Sequence, residues 1–188
     1  DDGRYLALSK ERTNADNNLY VLDLQDPNKT PLHITPHDGN VTFTAHGFSR
    51  DGKQLIYGSD QSSEFSQAFS YDLASKQSTV YQQADWDISY IGFSKDNKYK
   101  VTAINADAST KIQITDQNTG QPLQLPKLPD GDLRGISFSA DSQYLSFYVN
   151  ADNSPSNLYV WKIGDATANR LTQALDKAID ENNLVTYY

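Results

Sequence analysis

Two carboxylates flank an aromatic ring in the run Asp85-Trp86-Asp87, the group of residues best suited to binding chemistry in this sequence. Paired negative charges attract cationic ligands and the amino termini of peptides. The same run is also typical of a turn that leads into a strand and packs its tryptophan. We therefore predict Asp85, Trp86 and Asp87 as substrate-binding residues, with a structural turn as the alternative.

The three histidines, His33, His37 and His46, are the next candidates for chemistry. His33 and His37 have the i, i+4 spacing that brings two metal ligands together on a helix, but Pro36 interrupts a passage from strand to loop here. His46 lies on a predicted inner strand, where it would either face a central channel or serve a structural role. We predict no metal site and no cofactor.

The residue patterns of nucleophilic catalysis are missing from the sequence. It contains no Gly-x-Ser-x-Gly turn that would expose a serine nucleophile, and it contains no cysteine. No glycine-rich loop is present that could cradle a phosphate. We therefore predict no catalytic residue within this chain.

The chain is acidic, with 24 acidic and 16 basic residues among 188 and a net charge of −8. We predict neither a nucleic-acid partner nor an anionic membrane surface, because both repel a negative protein, and no apolar run is long enough to span a bilayer. Many acids fall in loops predicted to share one face, which either attracts cations or keeps the surface soluble. These acids are Glu11, Asp16, Asp38, Asp60, Glu64, Asp85, Asp87, Asp107, Asp130, Asp132 and Asp152.

A short turn recurs four times and organises the chain. Its aspartates stand at positions 2, 51, 96 and 141, so successive copies are 49, 45 and 45 residues apart. Each aspartate can accept hydrogen bonds from its own turn, and a neighbouring Gly or Asn tolerates a positive φ. A period in the forties with strands around a tight turn predicts an all-β fold, a β-propeller of four-stranded antiparallel blades.

Each repeat carries the same series of predicted strands. The second strands, which follow the turns, are 5–9, 54–58, 99–103 and 144–148; the third strands are 19–24, 68–73, 111–115 and 158–163. The weaker fourth strands are 31–34, 78–81, 122–125 and 169–172, and the innermost strands are 41–48, 88–93 and 133–138. β-Branched and aromatic residues dominate the second and third strands, as expected for a pleated and half-buried surface.

We predict four propeller blades over residues 1–175, as part of a larger propeller. Residues 176–188 form either an exit linker or, through residues 184–188, a strand that closes the ring. Apolar residues at positions 171, 175, 178 and 179 have helical spacing and predict a short surface helix within 170–180.

The blade motif resembles one shared by the TolB propeller and the propellers of the prolyl oligopeptidase family of serine peptidases. The resemblance lies in the F-S-x-D-G-K run at 48–53, its variants at 93–98 and 138–143, and the L-Y-x-x-x-L/I strands at Leu19 and Leu158. No Trp-Asp pair ends the third strands, unlike WD40 repeats. Residues 170–175 and 179–185 are similar to the segment where acylaminoacyl-peptidase-like members leave their last blade.

This resemblance implies a non-catalytic, substrate-gating propeller domain of a periplasmic or secreted serine peptidase, with a cytoplasmic location left open. The partners it implies are peptide substrates and a C-terminal α/β-hydrolase domain of the same parent chain, whose catalytic residues would lie beyond residue 188. The alternative is a TolB-like module that binds a protein partner. A third hypothesis, a polysaccharide-degrading enzyme with metal-binding propeller histidines, requires His33, His37 or His46 to converge.

Overall fold

The chain folds into four antiparallel β-sheets that each follow the order of the sequence. The structure, a computed structural model, describes residues 3–107, 109–180 and 183–184. Within these residues, the first and third sheets have three strands and the second and fourth have four. Each sheet is a simple meander in which consecutive strands are neighbours, so one repeat of the sequence supplies one sheet.

The fourteen strands of the described residues carry the numbering used below. The first sheet contains β1 (Tyr5–Thr13), β2 (Asp16–Asp23) and β3 (Leu32–His33), and the second contains β4 (Phe43–Phe48), β5 (Gln54–Ser59), β6 (Gln67–Asp72) and β7 (Gln77–Gln82). The third contains β8 (Asp87–Phe93), β9 (Tyr99–Ala106) and β10 (Ser109–Asp116), and the fourth contains β11 (Asp132–Phe138), β12 (Tyr144–Ala151), β13 (Ser154–Lys162) and β14 (Asn169–Arg170).

The repeated turn has the predicted hydrogen bonds. In the copy before β5, the Ser49 hydroxyl and the Lys53 backbone N–H both donate to Asp51 Oδ1, at 2.7 and 3.1 Å. Ser49 Oγ in turn accepts a bond from the backbone N–H of Gln54 at 3.0 Å. The copies before β9 and β12 have the same bonds. The first copy falls on Asp2, which lies outside the described residues.

The position after each turn aspartate adopts a left-handed backbone. Its φ is +66° at Gly52, +56° at Asn97 and +54° at Ser142. Glycine and asparagine tolerate this region, whereas serine is less common there. The side chain of Ser142 makes a further contact at this position. Its hydroxyl donates a hydrogen bond to Asp96 Oδ1 at 2.6 Å, and Asp96 lies 46 residues earlier in the chain. Two successive turns of the chain are thereby joined.

The hydrogen bond from Ser142 should make Asp96 contribute more to stability than Asp51, the equivalent residue of the preceding turn. The bond from Ser142, followed by those from Ser94 and the Lys98 N–H, lowers the pKa of Asp96 to about 2. We expect Asp96→Asn to lower the free energy of unfolding by at most about 1 kcal/mol, a figure reduced because Asp96 is exposed and solvent screens its charge. Asp51→Asn, which loses bonds within a single turn only, should cost less in urea unfolding at pH 7.

The hydrogen bond between Ser142 and Asp96 also predicts that the stability of the protein depends on pH in acid. A carboxyl with a depressed folded pKa stabilises the protein above its unfolded pKa near 3.8, and this contribution is lost as the pH falls towards 2. Asp96→Asn should therefore lose less stability than the wild type between pH 4 and pH 2. Equal losses in the two proteins would contradict this role of Asp96.

The described chain divides into two compact units, each with its own core. One comprises residues 1–92 and 102–106, and the other comprises residues 93–101 and 107–188. The first core is built on β2, β5 and β6, and the second on β9, β12 and β13. Parallel or tilted aromatic rings fill both, as with Tyr57 and Phe69 at 5.6 Å and Phe147 and Tyr159 at 5.9 Å. Trp161 is 1% exposed and packs in the second core.

Two predicted elements are wrong. Residues 171–180 form no helix, because backbone groups here bond to β13 instead: the Leu171 N–H donates to the Leu158 carbonyl at 2.7 Å and the Ala174 N–H to Asn157 Oδ1 at 2.9 Å. Most of the apolar stripe stays exposed, with Leu171 59% and Ile179 48% exposed. The predicted strand 122–125 is reduced to one bridge between Thr115 and Pro122.

The C-terminal prediction reaches beyond the described residues. Of the predicted closing strand 184–188, only Leu184 is described, and residues 185–188 lie outside. The division between residues 1–175 and 176–188 stays a prediction. Nowhere among the described residues is there a helix with the length and apolar character needed to span a bilayer.

Candidate binding site

The run Asp85-Trp86-Asp87 lies where the chain enters β8. Trp86 is 39% exposed, and its ring packs on Phe65, with the ring centroids 5.2 Å apart and a 43° angle between the planes. Phe65 precedes β6, so two loops of the first unit build this aromatic pair. Asp85 is exposed beside it.

Asp87 has a structural role that the sequence analysis gave only as an alternative. Its Oδ1 accepts a hydrogen bond from the Ser66 backbone N–H at 2.8 Å, and the Ile88 N–H donates to the Ser66 carbonyl at 2.8 Å. Asp132, 45 residues later, accepts a bond from the Thr110 N–H at 3.0 Å in the same way. Asp87 therefore fixes the segment before β6, whereas Asp85 and Trp86 remain available to a ligand.

Several other loop acids also bond to the backbone or to neighbouring side chains. Asp60 accepts bonds from the Thr42 N–H at 2.9 Å and the Thr42 hydroxyl at 2.8 Å. Asp16 is 4% exposed and has charged partners. The acidic loops are therefore not simply a solvated surface, because at least four of their carboxylates hold the structure together.

A cavity of about 390 Å³ lies in the first unit, between the turn that joins β1 to β2 and the start of β4. Its lining is mostly polar and includes one aromatic residue, Phe43. The residues that line it are Glu11, Thr13, Asn14, Asp16, Asn17, Thr42, Phe43 and Thr44. No pattern in the sequence predicts this cavity, because its lining comes from two sheets.

Asp16, which lines this cavity, is paired with the side chains of His37 and Arg12. Asp16 Oδ1 lies 3.0 Å from Nε2 of His37, and Asp16 Oδ2 lies 3.2 Å from the Arg12 guanidinium. His37 Nδ1 lies 2.9 Å from the Thr35 carbonyl oxygen, and its side chain is only 7% exposed. The Thr35 carbonyl first, and the Asp16 carboxylate second, raise the pKa of His37, although burial opposes them.

The rim of the cavity is held by side-chain bonds to the backbone. Asn17 Oδ1 accepts from the Phe43 N–H at 2.6 Å, and Asn17 Nδ2 donates to the Phe43 carbonyl at 2.7 Å. Asp60 holds the neighbouring Thr42, as described above. Because both residues are fixed before any ligand arrives, the cavity is preorganised for polar recognition.

The three histidines have separate environments. His33 Nε2 lies 2.6 Å from Asn18 Oδ1, and its ring stacks on Tyr20 at 4.7 Å. In the part of the chain that the structure describes, no three His, Cys, Asp or Glu side chains are placed to hold a metal ion. The convergence required by the polysaccharide-degrading hypothesis is not found in these residues.

His46 is half-buried, and its Nε2 is a buried atom that has no hydrogen-bond partner among the described residues. Burial lowers its pKa to about 4. The ring lies against Gly58 of β5, where an added Cβ would stand 2.9 Å from His46 Nε2 and 3.2 Å from Ser66 Oγ. A glycine inside a strand often marks such a close approach.

We expect Gly58→Ala to lower the free energy of unfolding by about 1–3 kcal/mol, because the new methyl group would displace the His46 ring. Chemical unfolding of the single and double variants would measure this effect. In a His46→Ala background the same Gly58→Ala change should cost much less. Equal costs in both backgrounds would show that the contact with His46 is not the cause.

Comparison with known proteins identifies the fold. No family model matches the chain, and no curated protein matches its sequence. Among solved structures, it is similar to TolB from Acinetobacter baumannii, with a TM-score of 0.67 and 21% identity over 92% of this chain and 41% of that one. It is also similar to a puromycin-hydrolyzing peptidase of Mycobacterium tuberculosis (TM-score 0.75, 13% identity, 96% of this chain and 28% of that one). Prolyl oligopeptidase B from Galerina marginata gives a TM-score of 0.72 at 13% identity over 96% of this chain and 26% of that one.

These likenesses and the four meandering sheets establish the predicted β-propeller fold, of the kind found in TolB and in prolyl oligopeptidase propeller domains. The chain spans less than half the length of each of these three proteins. At such identities the likeness concerns the fold alone.

Proposed function

We propose that this chain is a non-catalytic propeller domain that gates substrate access in a serine peptidase of the prolyl oligopeptidase family. The observation that carries the proposal is the likeness to two peptidases, with TM-scores of 0.75 and 0.72 over 96% of this chain. The proposal includes a C-terminal α/β-hydrolase domain of the same parent chain, peptide substrates, and a periplasmic or secreted location. Polar, preorganised loops support a role in sorting peptides.

The size and reactivity of the natural protein test this proposal. An antibody raised against the 188-residue chain should detect, in the source cells, a band several times larger than 21.0 kDa. That band should also label with a fluorophosphonate, which reacts with activated serine nucleophiles. A band that does not label would contradict the peptidase, and cell fractionation of the same band would test the location.

Asp85, Trp86 and Asp87 remain our proposal for the residues that meet the substrate. Because Asp87 already bonds to Ser66, we assign the attraction of a peptide amino terminus mainly to Asp85, which is exposed beside the Trp86 ring. In the full-length peptidase, Asp85→Asn should raise KM about two- to fivefold for peptides with a free amino terminus, the range of a partly exposed ion pair. N-acetylated peptides should be unaffected.

The matched control for this experiment is Asp38→Asn, which removes another exposed loop carboxylate of the same unit. It changes the net charge equally but lies away from the run at 85–87 in the sequence. If Asp38→Asn raised KM as much as Asp85→Asn, the effect would be one of overall charge, and the assignment to Asp85 would fail.

A second candidate function is a TolB-like module that binds a protein partner. It is supported by the likeness to TolB, which has 21% sequence identity with this chain against 13% for the peptidases. A natural protein that does not label with fluorophosphonate, and that co-purifies stoichiometrically with another protein, would favour this candidate. Labelling of the natural protein would favour the peptidase.

A further inference from the structure

The cavity beside Asp16 has the chemistry of a site for a cationic side chain. Asp16 is a charged residue that is only 4% exposed, yet it forms part of the cavity lining. A buried charge is costly unless it is paired, so this carboxylate requires a cationic or hydrogen-bonding neighbour at each oxygen. His37 supplies the neighbour for Oδ1, and Arg12 supplies the neighbour for Oδ2.

The two neighbours differ in how firmly they are held. The His37 side chain is 7% exposed, and its other ring nitrogen is 2.9 Å from the Thr35 carbonyl oxygen. The Arg12 side chain is 60% exposed and reaches Asp16 through one contact of 3.2 Å. Because the Arg12 end of this pair lies in solvent, a second guanidinium can take its place at Asp16 Oδ2 at little cost, provided that Asp16 itself stays paired. Another guanidinium could therefore displace Arg12 from Asp16 Oδ2.

The remaining walls suit the rest of an arginine side chain. Phe43 adds one apolar residue to a lining that is otherwise polar, and the polar residues include Thr13 and Thr44, whose side-chain type can accept hydrogen bonds from a guanidinium. Glu11 adds a second carboxylate to the wall. A volume of about 390 Å³ is of the size that holds small ligands in proteins.

The net charge of the chain also favours an arginine side chain in this cavity. The chain has a net charge of −8, which raises the local concentration of cations and repels anions. Guanidinium pairs with carboxylates through a planar fork of donors, which a lysine ammonium lacks, and Arg12 shows that a guanidinium reaches Asp16 Oδ2.

We propose that this cavity binds the side chain of an arginine from a partner polypeptide, whose guanidinium replaces Arg12 at Asp16. The partner is either a peptide substrate or a bound protein, so the inference holds for both candidate functions above. In the unbound protein, Arg12 occupies Asp16 Oδ2 and competes with the arginine of the partner for this carboxylate.

Small arginine analogues test the site in the 188-residue chain. N-acetylarginine methylamide should shift the NMR signals of the backbone amides of Asn17, Thr42 and Phe43 in a saturable manner. N-acetylcitrulline methylamide has nearly the same shape without the charge and should not. Equal binding of citrulline, or of N-acetyllysine methylamide, would overturn the assignment to a guanidinium, as would the absence of any saturable shift.

Two variants separate the proposed competition from general electrostatics. Arg12→Gln should tighten binding of the arginine analogue by about three- to fivefold, the range expected when a competing contact from a solvent-exposed side chain is removed. Lys10→Gln makes the same change in net charge at a nearby exposed position of β1 and should change the affinity less than about twofold. If both variants tightened binding equally, or if Arg12→Gln weakened it, the proposal would be wrong.

Discussion

Asp16→Ala is expected to lower the free energy of unfolding by about 3–5 kcal/mol, the typical cost of removing one partner from a buried ion pair. Asp16 is 4% exposed and lies 3.0 Å from His37, whose side chain is 7% exposed. The variant would leave Nε2 of a buried imidazole without its carboxylate and would leave a void in the cavity wall. Urea unfolding at pH 7 would measure the loss.

The matched control is Asp38→Ala, which removes an exposed carboxylate of the same unit. It should change stability by less than about 0.5 kcal/mol, as surface substitutions generally do. A loss for Asp16→Ala no larger than that of Asp38→Ala would show that the Asp16–His37 pair is not important for folding.

The pair also has a characteristic pH dependence. The Thr35 carbonyl and Asp16 raise the pKa of His37, so the stability that the pair contributes is complete below pH 6.5 and is lost as the pH rises through the folded pKa. The cost of Asp16→Ala should therefore be larger at pH 5.5 than at pH 8.5. A cost that grew with pH would contradict a protonated His37.

The second large effect on stability should come from His46. Its contribution should be lost as the pH falls, whereas that of the Asp16–His37 pair is lost as the pH rises. Burial lowers the pKa of His46 to about 4 from an ordinary value of 6.5. The unfolded state therefore binds the proton more readily, and acidification from pH 6.5 to pH 4 should remove up to about 3 kcal/mol of stability. Unfolding curves collected across this range would measure the slope.

His46→Phe should flatten this slope, because phenylalanine cannot titrate and keeps an aromatic ring near Tyr90, which now lies 6.3 Å away in an edge-on contact. The variant also removes Nε2, a buried polar atom that has no partner among the described residues. His37→Gln is the comparison, since it should remove the loss of stability at higher pH instead. An unchanged slope in His46→Phe would show that His46 is not the group that titrates.

The strand order could be predicted from the sequence because it depends on local chemistry. The turn Ser49-Arg50-Asp51-Gly52-Lys53 closes by bonds between residues two to five positions apart, so each copy specifies a hairpin wherever it occurs. The second strands begin at residues 5, 54, 99 and 144, as predicted. The alternation of apolar and polar residues, together with the β-branched residues, was enough to predict the third strands.

The predictions failed where distant partners competed with local preference. The stripe at 171–179 has helical spacing, but Asn157 and Leu158 of β13 bond to its backbone instead. Asp87 looked free in the sequence because its partner, the Ser66 N–H, lies 21 residues earlier. Phe65 was missed for the same reason, although its place in the loop before a third strand could have suggested that it meets the loop before the next repeat.

The sequence by itself determined the meander of strands, the repeated turn and the acidic charge, because these depend on residue types and short spacings. Only the tertiary structure decided which acids hold the backbone and which stay exposed. Asp16, Asp60, Asp85 and Asp87 are alike in the sequence, yet burial and partners from other strands give each a different role. Desolvation and pairing arise between residues far apart in the chain, and no local pattern records them.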